Sequence, residues 1–96
     1  ENRRACFAIT HARAGYSDIK SVLDSLMNSL RLGYAVKSVK HSSFISGRVG
    51  EVRVKGKTIG IIGEVHPLVL NNWGIEKPVS LFELDLDAVM ALLELE

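Results

Sequence analysis

The sequence around Lys55-Gly56-Lys57 constrains the fold more than any other feature of the chain. Apolar and charged residues alternate through 51–54, and residues 58–65 form a mainly apolar segment after the glycine. A period of two is typical of strands, and glycine supplies the positive φ that a tight turn needs. We therefore predict an antiparallel hairpin. Gly60 and Gly63 interrupt its return strand, which indicates bulges or close backbone approach.

Residues 17–33 carry the clearest helical pattern. Their apolar residues recur at i, i+3, i+4 and i+7, as on the buried face of an amphipathic helix. Ser17 is the predicted N-cap, and Gly33 is the residue expected to end the helix in the left-handed conformation.

Shorter patterns complete the order of elements. Strand patterns occupy residues 3–10, 34–41 and 79–86, with loops at 11–16 and 42–47. His66-Pro67 opens a short helix that Gly74 ends, and Asp85 or Asp87 caps a final helix. Long crossover helices between successive strands are missing, so we predict an α+β fold with a mainly antiparallel sheet and helices on one side. In the return strand of the hairpin, we expect one face to carry Ile59, Ile61 and Val65 and the other to carry Gly60, Ile62 and Glu64.

Length and composition indicate one small domain spanning residues 1–96. The net charge of +1 gives no compositional case for a nucleic-acid or membrane surface. The single cysteine excludes an internal disulfide and fits a reducing compartment. Because the chain begins at Glu1 rather than methionine, we interpret it as a piece of a longer protein.

Five polar residues are candidates for chemistry. An acid–base site would combine His41 or His66 with Glu64 or Glu83. The alternative is that Arg48 pairs with one carboxylate and orders a loop.

Other kinds of site have weaker support. The spacing of His41 and His66 does not predict a shared metal ion, and the glycines near Arg48 do not form a known phosphate-binding loop. An RNA-binding sheet needs exposed aromatic rings with basic neighbours. The three phenylalanines lie in apolar contexts, which favours the core: Phe7, Phe44 and Phe82.

Three segments occur in a specific order along the chain. They are Phe44-Ile45-Ser46-Gly47-Arg48, residues 59–67 from Ile59 through Gly63-Glu64-Val65-His66-Pro67, and residues 78–86 around Phe82-Glu83-Leu84. In this order and spacing they resemble the beta subunit of phenylalanyl-tRNA synthetase, and its archaeal and eukaryal type most closely. The helix start at Asp18-Ile19-Lys20 is also similar to that family, with Tyr16 in place of a phenylalanine.

The resemblance implies part of a module similar to the class II synthetase catalytic domain. In this family, the beta module has lost catalysis and packs against an alpha subunit in an (αβ)2 enzyme. The alpha subunit attaches phenylalanine to tRNA with ATP and magnesium, and the enzyme is cytoplasmic. This chain would be the second half of the beta module, without a cofactor of its own and with an exposed apolar patch. The residues expected to serve as framework or interface are Gly47, Arg48, Gly60, Gly63, Glu64, His66, Pro67 and Glu83.

Three functional hypotheses follow. The first is a non-catalytic structural and interface module of the ligase beta subunit. The second is an autonomous ligand-binding or acid–base enzyme domain that uses His41, Arg48, Glu64 and Glu83. The third is an RNA-binding α+β platform.

Overall fold

Five strands form one antiparallel sheet in the order β1-β5-β4-β3-β2. The computed structural model describes residues 3–10 and 15–94. The predicted order of elements and the α+β class are confirmed, whereas the predicted loop at 11–16 lies largely outside the described residues. The elements are β1 (Arg4–Thr10), α1 (Tyr16–Ser29), β2 (Ala35–Ser38), β3 (Phe44–Val54), β4 (Lys57–Val65), α2 (Pro67–Asn72), β5 (Val79–Asp85) and α3 (Leu86–Glu94).

Both ends of α1 differ from the sequence prediction. The N-cap is Gly15, not Ser17, and its N–H donates to the Asp18 carboxylate at 3.1 Å. At the other end Arg31, not Gly33, takes the left-handed conformation, with φ of 57°. The N–H of Leu32 donates to the Met27 carbonyl at 3.0 Å, which closes a Schellman-type end with Arg31 as its left-handed residue, two residues before Gly33.

The predicted hairpin turn between β3 and β4 is confirmed. Lys55 and Gly56 both have positive φ, 53° and 78°, as the two central residues of a type I′ turn require. The turn connects the paired residues Val54 and Lys57.

Helices cover both faces of the sheet, so the expectation of helices on one side was wrong. Helices α1 and α3 pack on one face, where Leu23, Phe82 and Val89 belong to the main core. Helix α2 covers part of the opposite face, where Leu70 joins a second cluster with Val65. No described helix is long and apolar enough to cross a membrane.

A bulge changes the predicted faces of β4. Val52 pairs with Gly60 and Arg53 pairs with Thr58, which leaves Ile59 as an extra residue on β4. Ile59 and Ile62 therefore both enter the main core, while Ile61 packs against the second cluster. The assignment of Ile59 and Ile61 to one face was wrong because strict alternation breaks at this point.

The final helix is capped by a predicted residue, whereas β3 starts earlier than the sequence predicted. The Asp85 carboxylate caps α3 by accepting the N–H of Ala88 at 3.1 Å, one of the two predicted caps. Strand β3 begins at Phe44, so the predicted loop at 42–47 was too long.

Candidate functional site

The structure joins Arg48 and Glu64 in an ion pair, with Nε and Oε2 3.2 Å apart. The Glu64 side chain is only 14% exposed, whereas that of Arg48 is 59% exposed. A carboxylate so shielded needs a partner, since burying an unpaired charge is costly. The interpretation that Arg48 pairs with a carboxylate is confirmed.

An irregular stretch of β3 places Arg48. Phe44 pairs with Val65 and Val49 pairs with Gly63, so residues 45–48 face Glu64 alone. Gly47 lies in this stretch with φ of 82°, a conformation that other residues rarely adopt. The extra length carries Arg48 out of the regular ladder and towards Glu64.

Gly60 and Gly63 allow neighbouring strands to approach β4. A Cβ atom on Gly60 would collide with the Glu83 carbonyl oxygen on β5. One on Gly63 would lie 2.8 Å from the Arg48 carbonyl oxygen on β3. Close backbone approach, one of the two predicted reasons for these glycines, is therefore correct at both positions.

His66 and Pro67 begin α2. The Nδ1 atom of His66 accepts the N–H of Leu68 at 3.1 Å, as expected of an N-cap, and Pro67 follows at the first helical position. The His66 backbone N–H donates to the Ser43 carbonyl at 2.8 Å. This bond fixes α2 to the segment that contains His41.

Glu83 lies apart from the other candidates. It pairs with Ile61 on β4, whereas Glu64 lies three residues further along and points to the other face. Its carboxylate contacts Arg4 at 3.4 Å in a largely exposed ion pair. Burial and the Glu83 carboxylate together raise the pKa of the neighbouring Cys6 thiol, which lowers its reactivity.

An open groove beside α2 contains the ion pair and several apolar side chains. Its volume is about 710 Å³, and we call it the α2 groove. Leu68 is 67% exposed and Ile75 37% exposed, and Trp73, 62% exposed, follows the helix. Leu68 and Ile75 line the groove, which therefore exposes apolar surface as expected, whereas Trp73 is not one of its lining residues. Residues that line the groove include Ile45, Arg48, Glu64, Leu68, Ile75 and Pro78.

The four residues of the acid–base hypothesis, His41, Arg48, Glu64 and Glu83, do not meet at one place. Of the four only Arg48 and Glu64 meet, and they meet as an ion pair in the α2 groove. His41 lines a separate pocket. An acid–base site combining all four residues is therefore not assembled.

Aromatic positions give little support to an RNA platform. Phe44 and Phe82 are buried, as the sequence suggested. Phe7 is 42% exposed, so its assignment to the core was wrong; its ring stacks on Phe82 at 4.8 Å between ring centroids. Arg4 lies on the opposite face of β1 from Phe7 and is paired with Glu83, so it does not supply the basic neighbour that an RNA-binding ring needs.

Sequence reasoning missed that His41 and His66 line the same pocket, together with Lys40. Their separation along the chain hid this, although the bond from His66 to Ser43 explains it. In the part of the chain that the structure describes, no group of three His, Cys, Asp or Glu side chains could hold a metal ion.

These features define a small α+β domain. Gly60 and Gly63 allow its strands to pack closely, His66 caps a helix, and Arg48 and Glu64 form an ion pair beside an open groove. The chain belongs to the family described as phenylalanyl tRNA synthetase beta chain CLM domain, which it matches over residues 1–86.

Curated relatives agree with this family. The chain is 54% identical to a protein of Thermococcus onnurineus named phenylalanine–tRNA ligase beta subunit, over 79% of this chain and 13% of that protein. Proteins of the same name match from Pyrococcus furiosus, at 51% identity over 80% of the chain and 14% of that protein, and from Archaeoglobus fulgidus, at 45% over 83% and 15%. The chain thus spans only a small part of the length of these relatives.

Proposed function

We propose that the chain is a non-catalytic structural and interface module of a phenylalanine–tRNA ligase beta subunit. In this role it supports an alpha subunit that attaches phenylalanine to tRNA with ATP. Membership of the beta chain family and the names of the curated relatives support the assignment. The structural observation that carries it is the exposed apolar surface at the α2 groove.

This surface has the composition of a protein contact. Leu68 and Trp73 are both more than three-fifths exposed, at 67% and 62%, on or just after one short helix. Tryptophan is enriched among residues that dominate binding energy, and clustered apolar exposure marks interaction sites. The buried Leu70 anchors the same helix to the sheet, so the surface is presented on a fixed support.

The arrangement of charges fits a supporting role better than an adenylating one. ATP phosphates need cationic groups that are free to meet them. Arg48 is already paired with Glu64, and Glu83 lies on the other face of the sheet with Arg4. The framework roles proposed for Gly47, Gly60, Gly63, His66 and Pro67 accord with their backbone positions.

The wider assembly is part of the proposal. The alpha subunit is the partner, in an (αβ)2 enzyme of the cytoplasm, and ATP, magnesium and tRNA belong to that whole enzyme. The chain forms the second half of a module similar to the class II synthetase catalytic domain.

An assembly experiment tests the interface. The full-length beta subunit carrying both Leu68→Ser and Trp73→Ser would be mixed with the alpha subunit and studied by sedimentation velocity. We expect the affinity to fall at least about tenfold, since hot-spot truncations cost about 2 kcal/mol or more. Met90→Ser provides the control, because Met90 is 49% exposed on α3, which packs on the opposite face of the sheet from α2. Unchanged assembly of the double variant would reject the exposed surface of Leu68 and Trp73 as the alpha-subunit contact.

A separate assay tests the absence of catalysis. The 96-residue chain would be incubated with ATP, phenylalanine and labelled pyrophosphate. We expect no phenylalanine-dependent exchange, and exchange by this chain alone would overturn the non-catalytic assignment.

A further inference from the structure

A second pocket, distinct from the α2 groove, is lined by an unusual set of polar side chains. Its volume is about 450 Å³, and it shares no lining residue with the groove. Within residues 3–10 and 15–94, no carboxylate lines it. We call it the histidine pocket, and its lining residues are Lys40, His41, Ser42, Phe44, Ser46 and His66.

Backbone hydrogen bonds hold the two histidines of this pocket in place. The N–H of Phe44 donates to the His41 carbonyl at 3.1 Å, and the His41 ring meets the Phe44 ring edge-on at 5.1 Å. The His66 N–H bonds to the Ser43 carbonyl at 2.8 Å. Two residues distant in sequence are thus fixed on one short segment of backbone.

Both imidazole rings are hydrogen-bonded in the same way. The Nδ1 of His41 accepts the N–H of Ser43 at 3.1 Å, and the Nδ1 of His66 accepts the N–H of Leu68 at 3.1 Å. A neutral imidazole whose Nδ1 accepts a hydrogen bond carries its proton on Nε2. The Nε2–H of each ring can therefore donate a further hydrogen bond, whereas the one accepting nitrogen, Nδ1, is already used.

The remaining polar groups of the pocket add donors and positive charge. Lys40 has three N–H donors and no ion-pair partner among residues 3–10 and 15–94. The hydroxyls of Ser42 and Ser46 can also donate. Because these donors line one pocket and no carboxylate is among its described lining residues, the pocket suits an anion with several oxygens.

A metal ion suits these rings less well. A metal would need the Nε2 lone pair, and the proton would then move to Nδ1, where it would face the backbone N–H of Ser43 or Leu68. Lysine and serine are also poor companions for two histidine ligands.

We propose that the histidine pocket binds a phosphate group through Lys40 and the Nε2–H groups of His41 and His66. A tetrahedral phosphate offers three or more acceptor oxygens and negative charge, which matches this donor set better than a carboxylate does. The inference goes beyond the interface role and does not depend on it.

Inorganic phosphate is the probe for the first experiment. It would be titrated into the 96-residue chain at constant ionic strength while the ring nitrogens are followed by long-range ¹H–¹⁵N NMR. We expect both rings to show the Nε2–H form without phosphate and saturable shifts as phosphate is added. Chemical shifts that change without saturating, or ring nitrogens whose shifts do not change at all, would overturn the proposal.

Variants can remove the donors and keep the local backbone bonds. Asparagine can accept the same N–H as a histidine Nδ1 in an N-cap or an Asx turn, so His66→Asn and His41→Asn preserve the capping contacts. Each variant, and also Lys40→Gln, is expected to weaken phosphate binding about tenfold or more, since each removes a donor to a charged group. The matched control is Lys57→Gln, which removes the same charge at the opposite end of the β3–β4 hairpin. Equal affinity in the control and in Lys40→Gln would contradict the proposal.

Further ligands identify the source of the phosphate and test the metal alternative. Adenosine monophosphate presents a terminal phosphate, whereas the dinucleotide ApA presents only a backbone phosphodiester. Binding of the first alone assigns the pocket to a terminal phosphate, and binding of both assigns it to a nucleic-acid backbone as well. If zinc binds the two imidazole rings under conditions in which phosphate does not bind, the pocket is a metal site and the proposal is wrong.

Discussion

Arg48 and Glu64 form an ion pair at the point where the β3–β4 ladder loses its regular register, with 3.2 Å between Nε and Oε2. The regular ladder would hold the two strands at fixed spacing, whereas residues 45–48 of β3 face Glu64 alone. A side-chain contact thus spans the part of the hairpin that backbone pairing does not close.

Removing Arg48 tests this contact. We expect Arg48→Gln to lower the free energy of unfolding by about 1 kcal/mol, because it leaves the mostly buried Glu64 without its charged partner. Urea denaturation of the single variants and of the double variant with Glu64→Gln would give the coupling energy. The control pair is Arg4 and Glu83, whose side chains are 51% and 39% exposed, and which should couple less strongly. A coupling energy near zero for Arg48 and Glu64 would contradict the assigned role.

Gly60 and Gly63 should resist replacement even by alanine. Either substitution places a Cβ against a backbone carbonyl of the adjoining strand, which cannot move as a flexible side chain could. We expect each to lower the free energy of unfolding by about 2 kcal/mol or more, as measured by urea denaturation.

Gly33→Ala is the matched control for these variants. Nothing lies within 4 Å of a Cβ at Gly33. We expect Gly33→Ala to change the free energy of unfolding by no more than about 0.5 kcal/mol. A similar loss at Gly33 and at Gly60 would show that close approach is not the cause.

Arg31 offers a stabilising substitution. Its φ of 57° is unfavourable for a residue with a Cβ, and glycine removes that cost while losing some entropy in the unfolded chain. We expect Arg31→Gly to raise the free energy of unfolding by about 0.5 to 1 kcal/mol. Arg31→Ala removes the charge and keeps the Cβ, so a gain from alanine equal to that from glycine would refute the backbone explanation. Thermal and urea denaturation would measure both.

Asp87 should contribute to stability in a pH-dependent way. The Arg3 backbone N–H, and then its guanidinium, lower the pKa of this carboxyl below its ordinary value of 3.8. Since the folded-state pKa is the lower one, the contribution is complete above the ordinary value and disappears as the pH falls through the folded pKa. We therefore expect a loss of stability below about pH 4 that Asp87→Asn makes shallower.

The pH series also separates the two contacts of Asp87. Arg3→Ala keeps the backbone N–H and removes the guanidinium, so its acid dependence should fall between those of the wild type and Asp87→Asn. The free energy of unfolding of all three proteins would be measured between about pH 6 and 2. If it depends on pH in the same way in all three, the assigned contacts are wrong.

The sequence predicted element types well where one local rule applied. The Lys55-Gly56 turn and the cap at His66-Pro67 follow from backbone preferences that neighbouring residues alone decide. It failed at Arg31, because the hydrogen bonds and buried contact of Leu32 ended α1 before Gly33 was reached.

The candidate site was harder to predict, because it depends on register. The extra residue at Ile59 and the irregular stretch at 45–48 arise from pairing between strands, which no single strand encodes in its own alternation. The Arg48 pairing was foreseen as a type of contact, but the meeting of His41 with His66 was not. Spacing along the chain carries no information about a bond such as that from His66 to Ser43.

The bulge at Ile59 also has a consequence for cooperativity. It allows one strand to supply Ile59 and Ile62 to the main core and Ile61 to the second cluster. Neither cluster can lose its packing without disturbing the strand that the other needs. The two faces of the sheet should therefore unfold in a single transition, and amide protons on both sides of β4 should exchange with solvent at the same free energy.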